Sequence, residues 1–247
     1  MALSNAQLER FWADGHVTVP DVFSQAEMNA ANADIDAWGE EFMAGMDAAQ
    51  RAWYLEQGGA QGPILRKLDS PVTERALFRE LAAKPALVAM VEALIGKGVG
   101  VYFSQLFLKP ARHGGPKPMH QDNYYAGPND PDGLVTAWIA LHEATVENGC
   151  LYFGDGSHKR PLLPHFAPDG KPFDLQVVEE VARQQEMTPA PVPRGGVSFH
   201  HGGVLHQSSD NRSDRPRRAA AVTYVNRHTR FASPNLDYDE DRLLWVS

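Results

Sequence analysis

The spacing of apolar residues changes near residue 99. Up to there they recur every three or four positions, as on one face of a helix; beyond it they alternate or cluster in short runs, as in strands. Ser4 is placed to cap a short helix reaching about Asp14, with Leu8, Phe11 and Trp12 on one face. Gly15 to Pro20 reads as a strand. Ser24, with Glu27 three residues on, forms a capping-box pattern and opens a long helix to about Met46. Ala48 to Ser70, Gly-rich at Gly58 and Gly59, is expected to form a loop over a site. Two helices should follow, Val72 to Ala83 and Pro85 to Ile95, the second with Pro in its first turn and Gly96 as its stop.

From Val99 the strand pattern takes over. Val99 to Lys109 alternates, Leu134 to Glu143 is apolar and β-branched, and Cys150 to Phe153 is short. Pro161 to Glu186 reads as an insertion with a helix near Asp174 to Gln184. Met187 to Val192, Val197 to His200, Val204 to Ser208 and Arg217 to Asn226 complete the set. Eight short strands with Gly and Pro turns predict a mainly β core with helices, closed or sandwiched and antiparallel. The length fits one domain over 1–247: a mostly helical part to 98, a β core over 99–229 with an insertion at 158–186, and a tail over 230–247. The tail, with Asp237, Asp239, Glu240 and Asp241, reads as a surface segment.

Composition narrows the function classes. A chain 43% hydrophobic and 22% charged is an ordinary soluble globular protein. Its net charge of −8 argues against a general attraction to nucleic acid or to anionic membranes. The basic run from Arg212 to Arg218 is short and reads as a solvated turn entering a strand. The single Cys150, in an apolar stretch, fits a small core residue in a reducing compartment. The start Met1-Ala2-Leu3-Ser4-Asn5 lacks the basic and apolar regions of a signal peptide, and no segment has the length of a membrane span. The expected location is therefore cytoplasmic. Asn211-Arg212-Ser213 matches a glycosylation sequon, which has no meaning there.

Two segments carry candidate chemistry: Met119-His120-Gln121-Asp122 and Leu205-His206-Gln207-Ser208. In an extended strand His120 and Asp122 share one face. A distant His completes a two-His, one-carboxylate face that leaves three metal positions open, as in non-haem Fe(II) oxygenases. His120-x-Asp122 alone reads more readily as a surface turn, since Asn123 and Gly127-Pro128 follow. His200 and His201 compete with His206 for the third place. His206 shares a face with Ser208 and lies eleven residues before Arg217; His201 then reads as a structural neighbour and His200 as a core or surface residue. Arg217 opens an apolar strand in which a buried charge needs an anionic partner. A planar guanidinium holds a carboxylate two-pronged. A dicarboxylate chelating the metal at one end and meeting Arg217 at the other explains the spacing, and 2-oxoglutarate is such a molecule. Alternation lets only one of Arg217 and Arg218 face inward; Arg217 shares its face with Ala219, Ala221 and Thr223, small residues that leave room.

Taken in order, these pieces resemble the phytanoyl-CoA dioxygenase-like Fe(II)/2-oxoglutarate oxygenases. The matching pieces are Met119 to Asp122, Trp138 to Leu141, Glu147 to Leu151, Gly156-Ser157-His158, Phe199 to Gly202, Leu205 to Ser208, Asn211 to Ser213 and Arg215 to Arg218. The resemblance runs from about Val99 to Val225. One departure is Gly154-Asp155-Gly156, where the family has Pro-Gly before Ser-His.

The resemblance implies a double-stranded β-helix of jelly-roll, cupin-like form with N-terminal helices packed on one sheet. It implies Fe(II) on His120, Asp122 and His206, 2-oxoglutarate as co-substrate paired with Arg217, and O2 as oxidant. It makes Trp138, otherwise core, a wall of the co-substrate pocket, and Ser208 a hydrogen-bond donor to that ligand. Gln105, with Lys109 on the face of Phe103 and Phe107, is a ligand contact or a barrel-rim residue. Tyr102, Tyr124, Tyr125, Trp53 and Tyr54 line a substrate pocket or simply pack. Related halogenases lack the carboxylate, so Asp122 favours hydroxylation of a small molecule, with desaturation, ring closure and epimerisation open. A metalloenzyme independent of 2-oxo acids and a non-catalytic metal- or ligand-sensing barrel are the alternatives. Substrate identity and oligomeric state are not legible.

Overall fold

The computed structural model describes residues 2–57, 62–169, 174–231 and 243–247. The N-terminal part gives helix α1 (Asn5–Asp14), strand β1 (His16–Val19), helices α2 (Gln25–Ala44) and α3 (Ala48–Tyr54), strands β2 (Leu55–Gln57), β3 (Pro63–Leu65) and β4 (Lys67–Asp69), then helices α4 (Pro71–Glu74), α5 (Ala76–Ala82) and α6 (Pro85–Ile95). There follow β5 (Val99–Lys109), β6 (Lys117–His120), α7 (Asp122–Ala126), β7 (Leu134–Ala140), β8 (Leu151–Phe153), β9 (His165–Phe166), β10 (Gln176–Val177), α8 (Glu179–Gln184) and β11 (Thr188–Ala190). Strands β12 (Val197–His201), β13 (His206–Ser208), β14 (Arg217–Asn226) and β15 (Leu244–Trp245) complete the order.

Two antiparallel sheets form the core. The larger runs β1-β12-β7-β14-β5-β15, with β4 also on β5; the smaller runs β11-β8-β13-β6. Spatial neighbours come from distant parts of the sequence, and from β5 to β8 and again from β11 to β14 successive strands alternate between the two sheets. This is the double-stranded β-helix. Alternation sorts the residues of the large sheet. Ile139, Ala220 and Val222 face outward into a core shared with Met28 and Ile35 of α2, Phe78 of α5 and Val91 of α6. Trp138, Ala140 and Ala219 face inward, against Leu151 and Phe153 of the small sheet. Burying each large apolar side chain contributes roughly 1.5–3 kcal/mol, so the helices hold the large sheet flat side out and leave the inner face for ligands.

The capping expectations hold in detail. The Ser4 and Ser24 side chains accept from the backbone of Gln7 and Glu27, whose side chains accept from the cap backbone in return. Other expectations are corrected. Trp12 is 37% exposed, so on α1 Phe11 goes fully inside while Trp12 packs edge-on against it. The helix expected over Val72 to Ala83 breaks at Arg75, whose backbone is extended and whose guanidinium pairs with Asp34 at 2.6 Å. The segment expected as a loop carries α3, the β2–β3 hairpin and β4, which joins the large sheet beside β5. Gly58 and Gly59 lie outside the described residues, as do Asp237, Asp239, Glu240 and Asp241. In the insertion the helix is shorter than expected, and β9 pairs with β10 ahead of it. Among the described residues no helix is long and apolar enough to cross a membrane.

Candidate metal centre

His120 ends β6 and His206 opens β13, and the two are register partners across the small sheet. Asp122 lies two residues beyond the end of the strand. It opens α7 instead of continuing β6, but Gln121 between them is extended (φ −126, ψ 128), so the alternation persists and both side chains point the same way. Gln121 points the other way and is anchored there: its amide nitrogen donates to the Gly203 carbonyl at 2.7 Å and its oxygen accepts from the Leu163 backbone at 3.0 Å.

His120, Asp122 and His206 bring one ligand atom each to within 4.8 Å of one another. Asp122 Oδ1 lies 3.6 Å from Nε2 of His120 and 3.6 Å from Nε2 of His206. Each ring is turned by its other nitrogen. His120 Nδ1 donates to the Pro118 carbonyl at 2.8 Å, and His206 Nδ1 to the Val204 carbonyl at 3.1 Å. Both Nε2 atoms are thereby left as acceptors facing the carboxylate, the tautomer a metal requires. Burial pushes His120 well below the usual imidazole range and His206 down to about 4. Burial alone would raise the Asp122 carboxyl, but His206, a hydrogen bond from His200 and His120 hold it below the carboxylate range. Near neutral pH the trio is two neutral imidazoles and one carboxylate, a set suited to Fe(II) or a similar divalent ion. Asp122 Oδ2 accepts from Thr136 Oγ1 at 2.7 Å, and Thr136 is backed by Thr223 at 2.9 Å.

Arg217 reaches the same inter-sheet space from β14. It is 1% exposed, and its Nε and Nη1 have no hydrogen-bond partner among the described residues. Its guanidinium lies over the Trp138 ring, 5.2 Å from the centroid. Burial brings its pKa down to about 9. Such a charge is costly without an anion, and the arrangement fits a carboxylate. Ser208 is buried and lines the cavity with Arg217 and Trp138. Lys109, the register partner of Arg217, donates from Nζ to the carbonyls of Gly115 and Ser209 at 2.5 Å each; burial, then the charge of Arg217, lowers it to about 6. Arg218 points to the opposite face and pairs with Asp36 at 2.6 Å. Asn211 of the sequon is 1% exposed, and its amide donates to the carbonyls of Lys109, Pro110 and Arg215. It fastens the segment leading into Arg217 and is closed to modification.

One cavity of about 390 Å³ joins the metal trio to Arg217 and opens onto a wider, mixed wall. Tyr102, Tyr125 and Trp53 line it, whereas Tyr124 stacks on His165 and Tyr54 packs on Phe42. Gln105 lines it with its amide donating to Asp69, which also pairs with Lys67. Lys67, Asp69 and Lys117 were not singled out by sequence reading. They sit in segments read as loop or as mere prelude to His120. The two competing histidines exchange roles. His201 turns away to Asp132 at 3.0 Å, while His200 is the one beside the site, 3.3 Å from Asp122. His200 pairs with Thr136 in register and so shares the inner face with Trp138, a parity that alternation within β12 leaves open.

The comparisons agree with this architecture. The family model for phytanoyl-CoA dioxygenase (PhyH) matches residues 11–219. The mouse (Mus musculus) phytanoyl-CoA dioxygenase domain-containing protein 1 is 33% identical over 150 residues, 59% of this chain and 52% of that protein. The chain spans about half the length of the mouse, rat and nematode relatives it matches. The methylphosphonate hydroxylase of Gimesia maris is 27% identical over 230 residues, 90% of this chain and 80% of that protein. Among solved structures, the non-haem α-ketoglutarate-dependent carbocyclase SnoK of nogalamycin biosynthesis has a TM-score of 0.78 at 24% identity, covering 99% of this chain and 97% of that one, and shares the fold. With the family model covering most of the sequence, the chain belongs to the phytanoyl-CoA dioxygenase family.

Proposed function

We propose that this protein is an Fe(II)- and 2-oxoglutarate-dependent dioxygenase that hydroxylates a C–H bond of a small molecule. The observation that carries the reading is Arg217: a buried guanidinium whose Nε and Nη1 have no hydrogen-bond partner among the described residues, in the same cavity as the His120–Asp122–His206 trio. In this reading the trio holds Fe(II), Arg217 pairs with the far carboxylate of 2-oxoglutarate, and the Ser208 hydroxyl donates to it. Trp138 walls the pocket beneath the guanidinium, and Lys109 holds in place the two segments, around Gly115 and Ser209, that border Arg217. Gln105, tied to Asp69, faces the ligand space from β5. When bound, iron and 2-oxoglutarate activate O2 for C–H oxidation, with succinate and CO2 as the other products. The chain supplies orientation and a water-poor cavity. A barrel using the trio without a 2-oxo acid gives no reason to bury an unpaired guanidinium beside it; a sensing barrel that binds a carboxylate ligand is separated from an oxygenase by oxygen-dependent succinate formation.

The volume and the mixture of aromatic and charged walls suit a small molecule carrying polar groups. Relatives named for a hydroxylase and a carbocyclase show how widely outcomes vary on this fold; the retained Asp122 carboxylate favours hydroxylation here.

The test is oxygen-dependent conversion of 2-oxoglutarate to succinate by iron-loaded protein. Slow succinate formation in the wild type, lost in His120→Ala and in Arg217→Met, supports the proposal. Iron binding with succinate formation that persists unchanged in Arg217→Met contradicts it.

A further inference from the structure

His200 is 2% exposed, and its Nε2, 3.3 Å from Asp122 Oδ2, makes the ring's sole hydrogen bond among the described residues; Nδ1 is buried without a partner. The ring sits among aromatic neighbours, 5.4 Å from Phe153 and 4.6 Å from His206 between centroids. A phenylalanine would suit that packing and leave no buried nitrogen unpaired. The imidazole is therefore explained by its one N–H. A carboxylate partner fixes which nitrogen carries the proton: only an Nε2–H can approach Asp122 favourably.

Asp122 Oδ2 is thus held by two donors, Thr136 from β7 and His200 from β12, which are register partners on adjacent strands. Oδ1 alone faces the two imidazole Nε2 atoms, at the same 3.6 Å from each. A carboxylate can bind a metal through one oxygen or both, and the second mode consumes one more coordination position.

We infer that His200 is a positioning residue: with Thr136 it holds Oδ2 so that Asp122 binds the metal through Oδ1 only, keeping one more position open for the other ligands. The inference rests on the metal-site reading proposed above and goes beyond it, since His200, the third histidine at the site, is not one of the three ligands.

The test compares wild type, His200→Phe and His200→Gln, each loaded with Co(II) for its visible spectrum and with Fe(II) for turnover of 2-oxoglutarate. Phe keeps the packing and removes the N–H, whereas Gln returns a donor. The expected result is a Co(II) spectrum altered in His200→Phe, with kcat down about tenfold or more and KM for 2-oxoglutarate within about threefold, as for other losses of a group that orients a ligand. His200→Gln should move both readouts back toward wild type. A wild-type spectrum and kcat in His200→Phe overturn the inference, and so do equal losses in the two variants. If His200→Phe does not fold, Thr136→Val removes the other donor to the same oxygen and must alter the Co(II) spectrum; an unaltered spectrum overturns the inference. Wild-type protein that binds Co(II) but neither binds nor turns over 2-oxoglutarate refutes the proposed function instead, and the Co(II) comparison still decides the role of His200.

Discussion

At 1% exposure, the Arg217 guanidinium carries its charge in a place where water cannot relieve it, and within the described chain only the Trp138 ring face compensates. Two consequences are expected of Arg217→Met. Affinity for 2-oxoglutarate should fall by about a hundredfold or more, since a charge-assisted two-pronged contact is lost, while metal binding stays. The ligand-free protein should melt no lower than wild type, because a buried unpaired charge is removed; a fall of several degrees would contradict the reading of Arg217 as uncompensated. Arg217→Lys should not restore affinity, for lack of the planar fork. Calorimetric titration and thermal melts check these outcomes. A second prediction concerns pH. His206 has its folded pKa lowered to about 4 from 6.5, chiefly by burial. Between those values the unfolded chain takes up a proton that the folded chain refuses. Stability of the metal-free protein is therefore complete above about pH 6.5 and is lost as pH falls toward 4, by up to about 3 kcal/mol for this group. His206→Gln should flatten that part of the stability–pH curve in denaturant melts; an unchanged slope would count against the buried neutral imidazole.

Elements differ in how far the sequence revealed them. The Ser4 and Ser24 caps, and β5 and β14 over their full lengths, follow from local chemistry and unbroken periodicity, so they were legible. The β2–β3 hairpin and β4 are not, because three-residue strands carry almost no periodic signal and exist through pairing, β2 with β3 and β4 with β5. The His-x-Asp spacing puts Asp122 on a strand, whereas it starts a helix; the shared direction of the two side chains rests on the extended Gln121. The roles of His200 and His201 were exchanged because the strand's inward parity depends on its register with β7, a tertiary fact. Element-scale predictions follow from the same contacts. Leu68 of β4 is fully buried, so Leu68→Ala should cost about 2–5 kcal/mol. It should also loosen the wall carrying Lys67 and Asp69 without changing 2-oxoglutarate affinity more than a few-fold. Ser24→Ala should cost about 1 kcal/mol through loss of the α2 cap and leave ligand binding intact, which separates general destabilisation from damage to the site.

Across the whole molecule, one division of labour recurs. Helices α2, α5 and α6 cover the outer face of the large sheet, which frees its inner face to carry Arg217, Trp138, Thr136 and His200 toward the small sheet that presents His120 and His206. Ligands bound between the sheets therefore stabilise both at once. Free ligand at about a hundred times its Kd should add about 2.7 kcal/mol to unfolding, raising the melting temperature with metal and 2-oxoglutarate together in wild type and with metal alone in Arg217→Met. The measurement that bears most directly on the central claim is an anaerobic titration of metal-free protein with Fe(II) and 2-oxoglutarate, followed by the weak visible charge-transfer band of the chelate. A saturable band is expected in wild type, absent in His120→Ala and His206→Ala and requiring far more 2-oxoglutarate in Arg217→Met. Stoichiometric iron binding with no band at any 2-oxoglutarate concentration would contradict it.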